Sequence, residues 1–129
     1  MVKATPPRRD IGVLAVTSAD RLNAGWTAAQ RERARGNARA MSHVERLFDP
    51  LPAHCAMVTV IDGHPATLSW LGAVAGHRTI PHGVEHFGQT GTIGDLYRHF
   101  RIDRRSIAAS VMALTVGKKV TTHEALLFP

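Results

Sequence analysis

Residues Gly83–Phe100 read GVEHFGQTGTIGDLYRHF, and this stretch says most about the fold. It combines the end of a strand, a loop rich in glycine and the start of a helix. Thr92, with Asp95 three positions later, gives a helix start signal. The apolar residues after it recur at i, i+3, i+4 and i+7, the spacing of a single helical stripe: Ile93, Leu96, Tyr97 and Phe100. The pattern predicts an amphipathic helix whose stripe faces a core.

Three further runs predict strands. Ile11–Val16 (IGVLAV) and Ala56–Ile61 (AMVTVI) are continuous, apolar and rich in branched residues, which is typical of buried parallel strands. Thr79–Val84 predicts a third strand, and Pro81 places it at an edge or an irregular position because proline cannot donate to a ladder.

Helices are predicted between and after these strands. A helical composition follows Thr27 and is interrupted at Gly36, which indicates either a broken helix or a helix followed by a loop. The other helices have clear start signals: a Ser42/Glu45 capping box, Pro65 ahead of a mostly buried Ala66–Ala75, and Asp103 ahead of a helix from Arg104 to about Thr115 that Gly117 should end.

Alternation of strands and helices predicts a three-layer α/β/α fold, helix on sheet on helix, with a mostly parallel sheet. At 129 residues and 44% hydrophobic content the chain fits one domain. We predict a disordered segment at 1–10, the α/β domain at 11–116 and a poorly determined tail at 117–129.

The formal charge of +6 raises the question of nucleic-acid binding. The cations are spread along the chain without an interleaved aromatic platform, which argues against that class. A solvated basic surface, or a docking face for an acidic partner, fits better. Cys55 is the single cysteine, and no signal peptide or membrane span is evident, so we expect a soluble cytoplasmic protein.

The Gly83–Phe100 stretch, together with Leu14–Leu22 (LAVTSADRL) and Val58–Ala66 (VTVIDGHPA), resembles the carboxy-terminal domain of thiamine-diphosphate-dependent enzymes. The resemblance is strongest to the homodimeric pyruvate dehydrogenase E1 and transketolase branch and runs from Ile11 to about Leu114. It implies a Rossmann-like, transketolase carboxy-terminal fold. It also implies a non-catalytic domain that contributes to dimer assembly and frames the cofactor cleft of a parent oxidoreductase or transketolase.

The chain departs from that family at both ends. The family's domain begins with a further strand and helix, whereas ten polar residues precede Ile11 here, and the sequence after Thr115 is unlike the family's continuation. We therefore expect a truncated domain that lacks its first βα unit and leaves an edge or an apolar surface unfilled. Homo-oligomerisation as a dimer, or docking on the remaining domains of the parent enzyme, would cover that surface.

The chain lacks the family's cofactor motif, a Gly-Asp-Gly followed by Asn-Asn that supplies oxygen ligands to magnesium. Asp62-Gly63 resembles it only superficially, and Asn23 and Asn37 lie upstream. We predict no catalytic, cofactor-binding or metal residues: thiamine diphosphate and magnesium belong to the parent enzyme, and this chain alone should be inactive.

The glycine-spaced loop is the candidate interface or ligand loop. A structural role near the dimer mate is favoured, and anion binding by its free N–H groups at Gly88–Gly94 stays open as an alternative. The loop comprises Glu85, His86, Phe87, Gly88, Gln89, Thr90 and Gly91.

The histidines suggest two further kinds of site, an acid–base pair and a zinc site. Glu85 beside His86 could form an acid–base pair at the carboxyl end of a strand, but Glu85 is expected instead to accept hydrogen bonds from a loop or an arginine. The tightest set of histidines is expected to be structural or surface residues rather than a zinc site: His77, His82, His86 and His99.

The alternative function is a stand-alone interaction or regulatory domain that docks an acidic partner through the basic helix Arg31–Arg39. Charge reversal at Arg33 and Arg35 should then abolish binding without unfolding the domain.

Overall fold

The computed structural model describes the backbone of residues 11–119 and the side chains of residues 11–115. The predicted segment 1–10 and most of the predicted tail lie outside the described residues. The elements in chain order are α1 (Ala19–Ala34), α2 (His43–Phe48), β1 (Ala56–Val60), α3 (Ala66–Ser69), α4 (Leu71–Ala75), β2 (Arg78–His82), α5 (Ile93–His99) and α6 (Arg104–Lys119).

The two strands form a parallel pair in which Ala56 lies opposite Arg78 and Val60 opposite His82. The pairing continues past the strand ends, because Ile61 N–H donates to the His82 carbonyl at 3.1 Å and Val84 N–H donates to the Gly63 carbonyl at 2.7 Å. The predicted strands at Ala56 and Thr79 are therefore confirmed. Pro81 is accommodated because the sheet described in residues 11–119 has two strands, so β2 is an edge strand.

Helices contact both faces of this small sheet. Thr79 approaches Gly72 of α4, whereas His82 is hydrogen-bonded to Ser110 of α6. Since side chains alternate between faces along a strand, Thr79 and His82 point to opposite sides. The chain is thus an α/β protein with a small parallel sheet.

The described core is small and lies on the face of the sheet that carries Thr79. Its buried members come from α2, α3 and α4: Val44, Phe48, Leu68 and Leu71. Half-buried side chains of α1 close it, and the rings of Trp26 and Trp70 stack with centroids 5.3 Å apart. This stack makes the two tryptophans packing anchors of the core.

Most helix boundaries follow the sequence signals. Helix α1 ends at Ala34, and Gly36 follows with φ of 100°, a left-handed conformation that suits glycine. The Ser42/Glu45 capping box is present in full. Three boundaries differ: α1 begins at Ala19, eight residues before the predicted start at Thr27, the predicted helix Ala66–Ala75 is divided at Trp70, and α6 continues through Gly117 to Lys119. A helical glycine costs only about 1 kcal/mol, which the rest of a helix can outweigh.

Two expectations about burial are wrong. Ile11–Val16 is not a strand: it is unpaired, and Val13 is 96% exposed. A buried strand needs a neighbouring edge to bond to as well as apolar residues, and β1 and β2 are paired only with each other.

The α5 stripe is likewise only partly covered. Ile93 is 71% and Tyr97 42% exposed, while Leu96 and Phe100 are half-buried. Periodicity predicts that a helix is amphipathic, but it does not supply the partner that covers its apolar face. None of the helices described between residues 11 and 119 is long and apolar enough to cross a bilayer.

Candidate functional site

The candidate loop Glu85–Gly91 leaves the carboxyl end of β2, and every one of its seven residues is exposed. Phe87 is the extreme case, with 97% of its surface accessible. An aromatic ring in water forgoes the burial that makes Phe favourable in a fold. The loop therefore presents an apolar side chain that no described part of the chain covers.

Both ends of this loop are held firmly. On the strand side Gly83 is buried against the backbone of Gly63 and Pro65, so closely that a Cβ at Gly83 would lie 2.8 Å from Pro65 N. On the helix side the Thr92 hydroxyl accepts a hydrogen bond from Asp95 N–H at 3.2 Å. The exposed segment is thus a surface loop between two fixed points.

Glu85 and His86 do not form an acid–base pair. Both side chains are exposed, and neither has a hydrogen bond or an ion pair with any side chain in the part of the chain that the structure describes. The expectation that Glu85 accepts hydrogen bonds from a loop or an arginine is wrong.

The helix that follows the loop continues its apolar character. Ile93 and Tyr97 are exposed on α5, and we call these two residues with Phe87 the loop–α5 surface. The amino-terminal end of α5 already carries the carboxylate of Asp95, which accepts hydrogen bonds from the Thr92 hydroxyl at 2.6 Å and from Arg98. These hydrogen bonds, that from Thr92 first, hold the pKa of Asp95 below its usual range. Negative charge at this helix end disfavours an anion there.

A small cavity of about 170 Å³ lies beside the root of the loop, at the carboxyl end of β2. His82 and Ser110 are both more than nine-tenths buried, and His82 Nε2 lies 2.8 Å from Ser110 Oγ. The remaining lining residues come from β2, the loop and the end of α5: Ile80, Pro81, Gly83, Glu85, Phe100 and Arg101. Sequence reasoning missed Ser110 and Arg101, because their proximity to His82 depends on how α5 and α6 pack.

The four histidines considered for a metal are dispersed. His82 is hydrogen-bonded as expected, and His86 and His99 are exposed. His77 is buried 6.0 Å from Phe48 in an edge contact, with neither ring nitrogen hydrogen-bonded. Nowhere in the described part of the chain do three His, Cys, Asp or Glu side chains converge in a metal-binding arrangement.

The basic segment Arg31–Arg39 is helical only as far as Ala34, so the predicted basic helix is shorter than expected. This segment has a structural contact that its sequence does not reveal. Arg33 donates to the Ala40 carbonyl at 2.6 Å and to Glu45 Oε1 at 2.7 Å, so it joins α1 to α2. Burial raises the pKa of Glu45, but hydrogen bonds from Arg33 and Ser42 outweigh it and lower the pKa from 4.5 to about 2. Charge reversal at Arg33 would therefore disturb the fold. Exposed Arg31 and Arg39 are the residues with which to examine docking on an acidic partner.

A second, larger groove of about 370 Å³ lies between the unpaired Leu14–Ser18 segment and the first two helices. Leu22, His43 and Leu47 line its other side. It adds to the apolar surface that the described residues leave open.

Searches of the chain against models of protein families, against curated proteins and against solved structures gave no significant match.

Proposed function

We propose that this chain is the carboxy-terminal layer of a thiamine-diphosphate-dependent enzyme of the homodimeric pyruvate dehydrogenase E1 or transketolase type. In this role it assembles the dimer and frames the cofactor cleft, and the cofactor and magnesium are held by other domains. The complete domain would have a three-layer, Rossmann-like fold. This chain contributes two paired strands to its sheet.

The observation that carries the proposal is the small number of hydrophobic residues that the described part of the chain buries by itself. Six hydrophobic residues are buried in the described part of the chain, whereas eleven large hydrophobic residues are exposed. Exposed apolar residues are normal when scattered, but neighbouring ones such as Ile11, Val13 and Leu14 mark an interaction surface. A domain whose apolar surface is covered by other domains would have this ratio of buried to exposed hydrophobic residues.

The open strand segment supports the same proposal. Ile11–Val16 has the sequence of a buried strand but lacks a partner. In the resemblance, a preceding βα unit supplies the missing neighbour. Restoring that neighbour would convert an exposed apolar run into the buried parallel strand that its composition predicts.

The loop–α5 surface supplies the docking contact. Phe87, Ile93 and Tyr97 lie in the segment that carries the strongest resemblance, and aromatic anchors of this kind dominate protein interfaces. The Cys55 thiol is free, which is compatible with the reducing cytoplasm in which we place the enzyme.

The test is reconstitution. The chain is mixed with a homodimeric pyruvate dehydrogenase E1 from which the carboxy-terminal domain has been deleted, and complex formation is measured by light scattering after gel filtration. We expect a complex that Phe87→Ser weakens by about tenfold or more. Met112→Ser is the matched control, because Met112 is an exposed apolar residue of α6 outside the loop–α5 surface.

Two results would contradict the proposal. One is the absence of any complex while the chain stays a monomer. The other is magnesium-dependent binding of thiamine diphosphate to this chain alone, measured by calorimetry, because the proposal assigns the cofactor to the other domains.

A further inference from the structure

We propose that the cavity beside His82 and Ser110 is a binding site for a small monocarboxylate. This inference is independent of the proposed assembly role. It rests on the position of the cavity, on one unsatisfied proton donor in its wall and on a cation at its rim.

The cavity lies where parallel α/β sheets bind ligands, beyond the carboxyl end of a strand. Its volume of about 170 Å³ far exceeds the roughly 10–15 Å³ that one water needs. It is smaller than the about 300–1,000 Å³ of a drug-sized site. A ligand of a few heavy atoms therefore fits.

The buried His82–Ser110 pair always retains one proton donor. A neutral imidazole carries one N–H and the serine one O–H, and a single hydrogen bond joins the two side chains. If Ser110 donates, His82 Nδ1–H remains; if His82 donates, the Ser110 O–H remains. Neither side chain has a second hydrogen-bond partner among the described residues. His82 Nδ1 is not among the enclosed atoms that lack a partner in the described residues, so a donor left on this pair is accessible to an acceptor in the cavity.

The cation at the rim is Arg101, and its backbone has an unusual conformation. Arg101 follows α5 with φ of 59°, and Ile102 N–H donates to the Tyr97 carbonyl at 2.9 Å. This is the Schellman arrangement, in which glycine is the favoured residue at the left-handed position. Arginine at this position is less stable than glycine would be, and its side chain is not needed for the hydrogen bonds that end the helix.

Arg101 is also not committed to an internal ion pair. In residues 11–115 the arginines joined to carboxylates are Arg33, Arg35 and Arg98. A guanidinium matches the two oxygens of a carboxylate in a bidentate geometry. Arg101 and the leftover donor of the buried pair are therefore two recognition groups for one carboxylate ligand.

Glu85 sets the charge that the site accepts. It lines the same cavity and carries a negative charge opposite to that of Arg101. A second negative charge on the ligand would be repelled by Glu85, so the site favours monoanions over phosphate-like dianions. Replacing Glu85 should strengthen anion binding, whereas replacing Arg101 should weaken it.

The experiment is an NMR titration of the chain with sodium acetate at constant ionic strength, with chloride as the reference ion. We expect the amides of Gly83, Glu85 and Ser110 to shift. Arg101→Gly should weaken acetate binding by about tenfold. Glu85→Gln should strengthen it by up to about fivefold. Arg101→Gly also relieves the left-handed arginine, so it should raise Tm while it removes binding.

Several outcomes would overturn the inference. These are no specific shift with acetate, equal acetate binding by the Arg101→Gly variant, shifts confined to the exposed arginines of α1, or binding of methylammonium in place of acetate. Inorganic phosphate binding as tightly as acetate would equally contradict the role given to Glu85.

Discussion

At the scale of single residues, two glycines determine how closely the connections of the sheet approach each other. A Cβ at Gly72 would lie 2.9 Å from the His77 carbonyl and would collide with the Thr79 side chain. Gly83 has the same relation to Gly63 and Pro65. Both glycines are buried. Close backbone approach, rather than an unusual φ, explains the requirement for glycine at these two positions.

We predict that Gly83→Ala lowers the free energy of unfolding by about 2 kcal/mol or more, because the backbone of Pro65 cannot move away without separating the strand ends. Gly94→Ala is the matched control: it lies in α5 with open space around its Cβ position. Alanine there should be neutral or stabilise by up to about 1 kcal/mol. Urea unfolding of both variants checks the difference, and equal stability of the two would contradict it.

Glu45 makes the stability of the fold depend on pH. Its pKa is about 2 in the fold against an ordinary 4.5. A depressed carboxyl pKa contributes stability above pH 4.5 that is lost as the pH falls from 4.5 towards 2. The contribution is at most about 3 kcal/mol, and the partial exposure of Arg33 reduces it.

We therefore expect the Glu45→Gln variant to lose less stability than the unsubstituted chain as the pH falls from 4.5 to 2. Urea unfolding at each pH measures the free energy of unfolding. Glu32→Gln serves as the control, because Glu32 belongs to the exposed Arg35 pair at 3.0 Å. A Glu45→Gln profile that falls as steeply as that of the unsubstituted chain would show that the Arg33–Glu45 contact is not formed in solution.

The left-handed backbone conformation of Arg101 can be tested by stability measurements without any ligand. Its φ of 59° is unfavourable for any residue with a side chain. Arg101→Gly should raise the free energy of unfolding by about 1 kcal/mol. Arg101→Ala, which keeps the left-handed strain, should give no such gain. A stability loss in the glycine variant would mean that the Schellman turn is not present.

Local signals among neighbouring residues could be predicted well, and distant contacts could not. The Ser42/Glu45 box and the Asp103 cap, in which Arg105 N–H donates to Asp103 Oδ1 at 2.9 Å, involve residues three positions apart or closer. Such spacing fixes proximity within one helical turn. His82 and Ser110 are 28 positions apart, and nothing in their types or spacing indicates that they meet.

At the scale of elements, α2 and α5 begin with similar caps but contribute differently to the hydrophobic core. Helix α2 contributes Val44 and Phe48 to the core, whereas α5 has no buried residue. Helices of six or seven residues are too short to be stable alone, so packing decides how firmly each is held. The same cap chemistry should thus give different results in the two helices.

Ser42→Ala should lower global stability by about 1–2 kcal/mol, because losing the cap loosens a helix on which the core depends. Thr92→Ala should instead accelerate amide exchange within α5 alone, with little change in global unfolding. Hydrogen exchange combined with urea unfolding separates the two effects. Global destabilisation by Thr92→Ala of the same size as that by Ser42→Ala would show that α5 is part of the core.

The prediction of the elements from sequence succeeded where a pattern is local and failed where it needs a neighbour. Periodicity located β1, β2 and α5 because burial patterns repeat along one element. It placed Ile11–Val16 in a sheet and the α5 stripe in a core because it assumes that the partner belongs to the same chain. The candidate loop was located, but the solvent exposure of Phe87 was not foreseen.

At the scale of the whole molecule, the limited core of the described residues leads us to predict that stability depends on association. An apolar surface covered in an assembly contributes to stability by mass action. We predict that the Tm of the chain rises with its concentration, or on addition of the E1 lacking its carboxy-terminal domain. Fluorescence of the stacked Trp26 and Trp70 reports the transition. A Tm independent of concentration and partner would indicate a self-sufficient domain.

The two-stranded sheet also has a consequence for the chain while it is being synthesised. Each strand pairs on one side only in the described residues, so a row of backbone donors and acceptors stays free on the outer side of both β1 and β2. Such rows can template the addition of further extended segments, as in amyloid growth. If the proposed function holds, cells that make this polypeptide without the other domains of the proposed enzyme should accumulate it in inclusion bodies, and supplying those domains during translation should keep it dispersed.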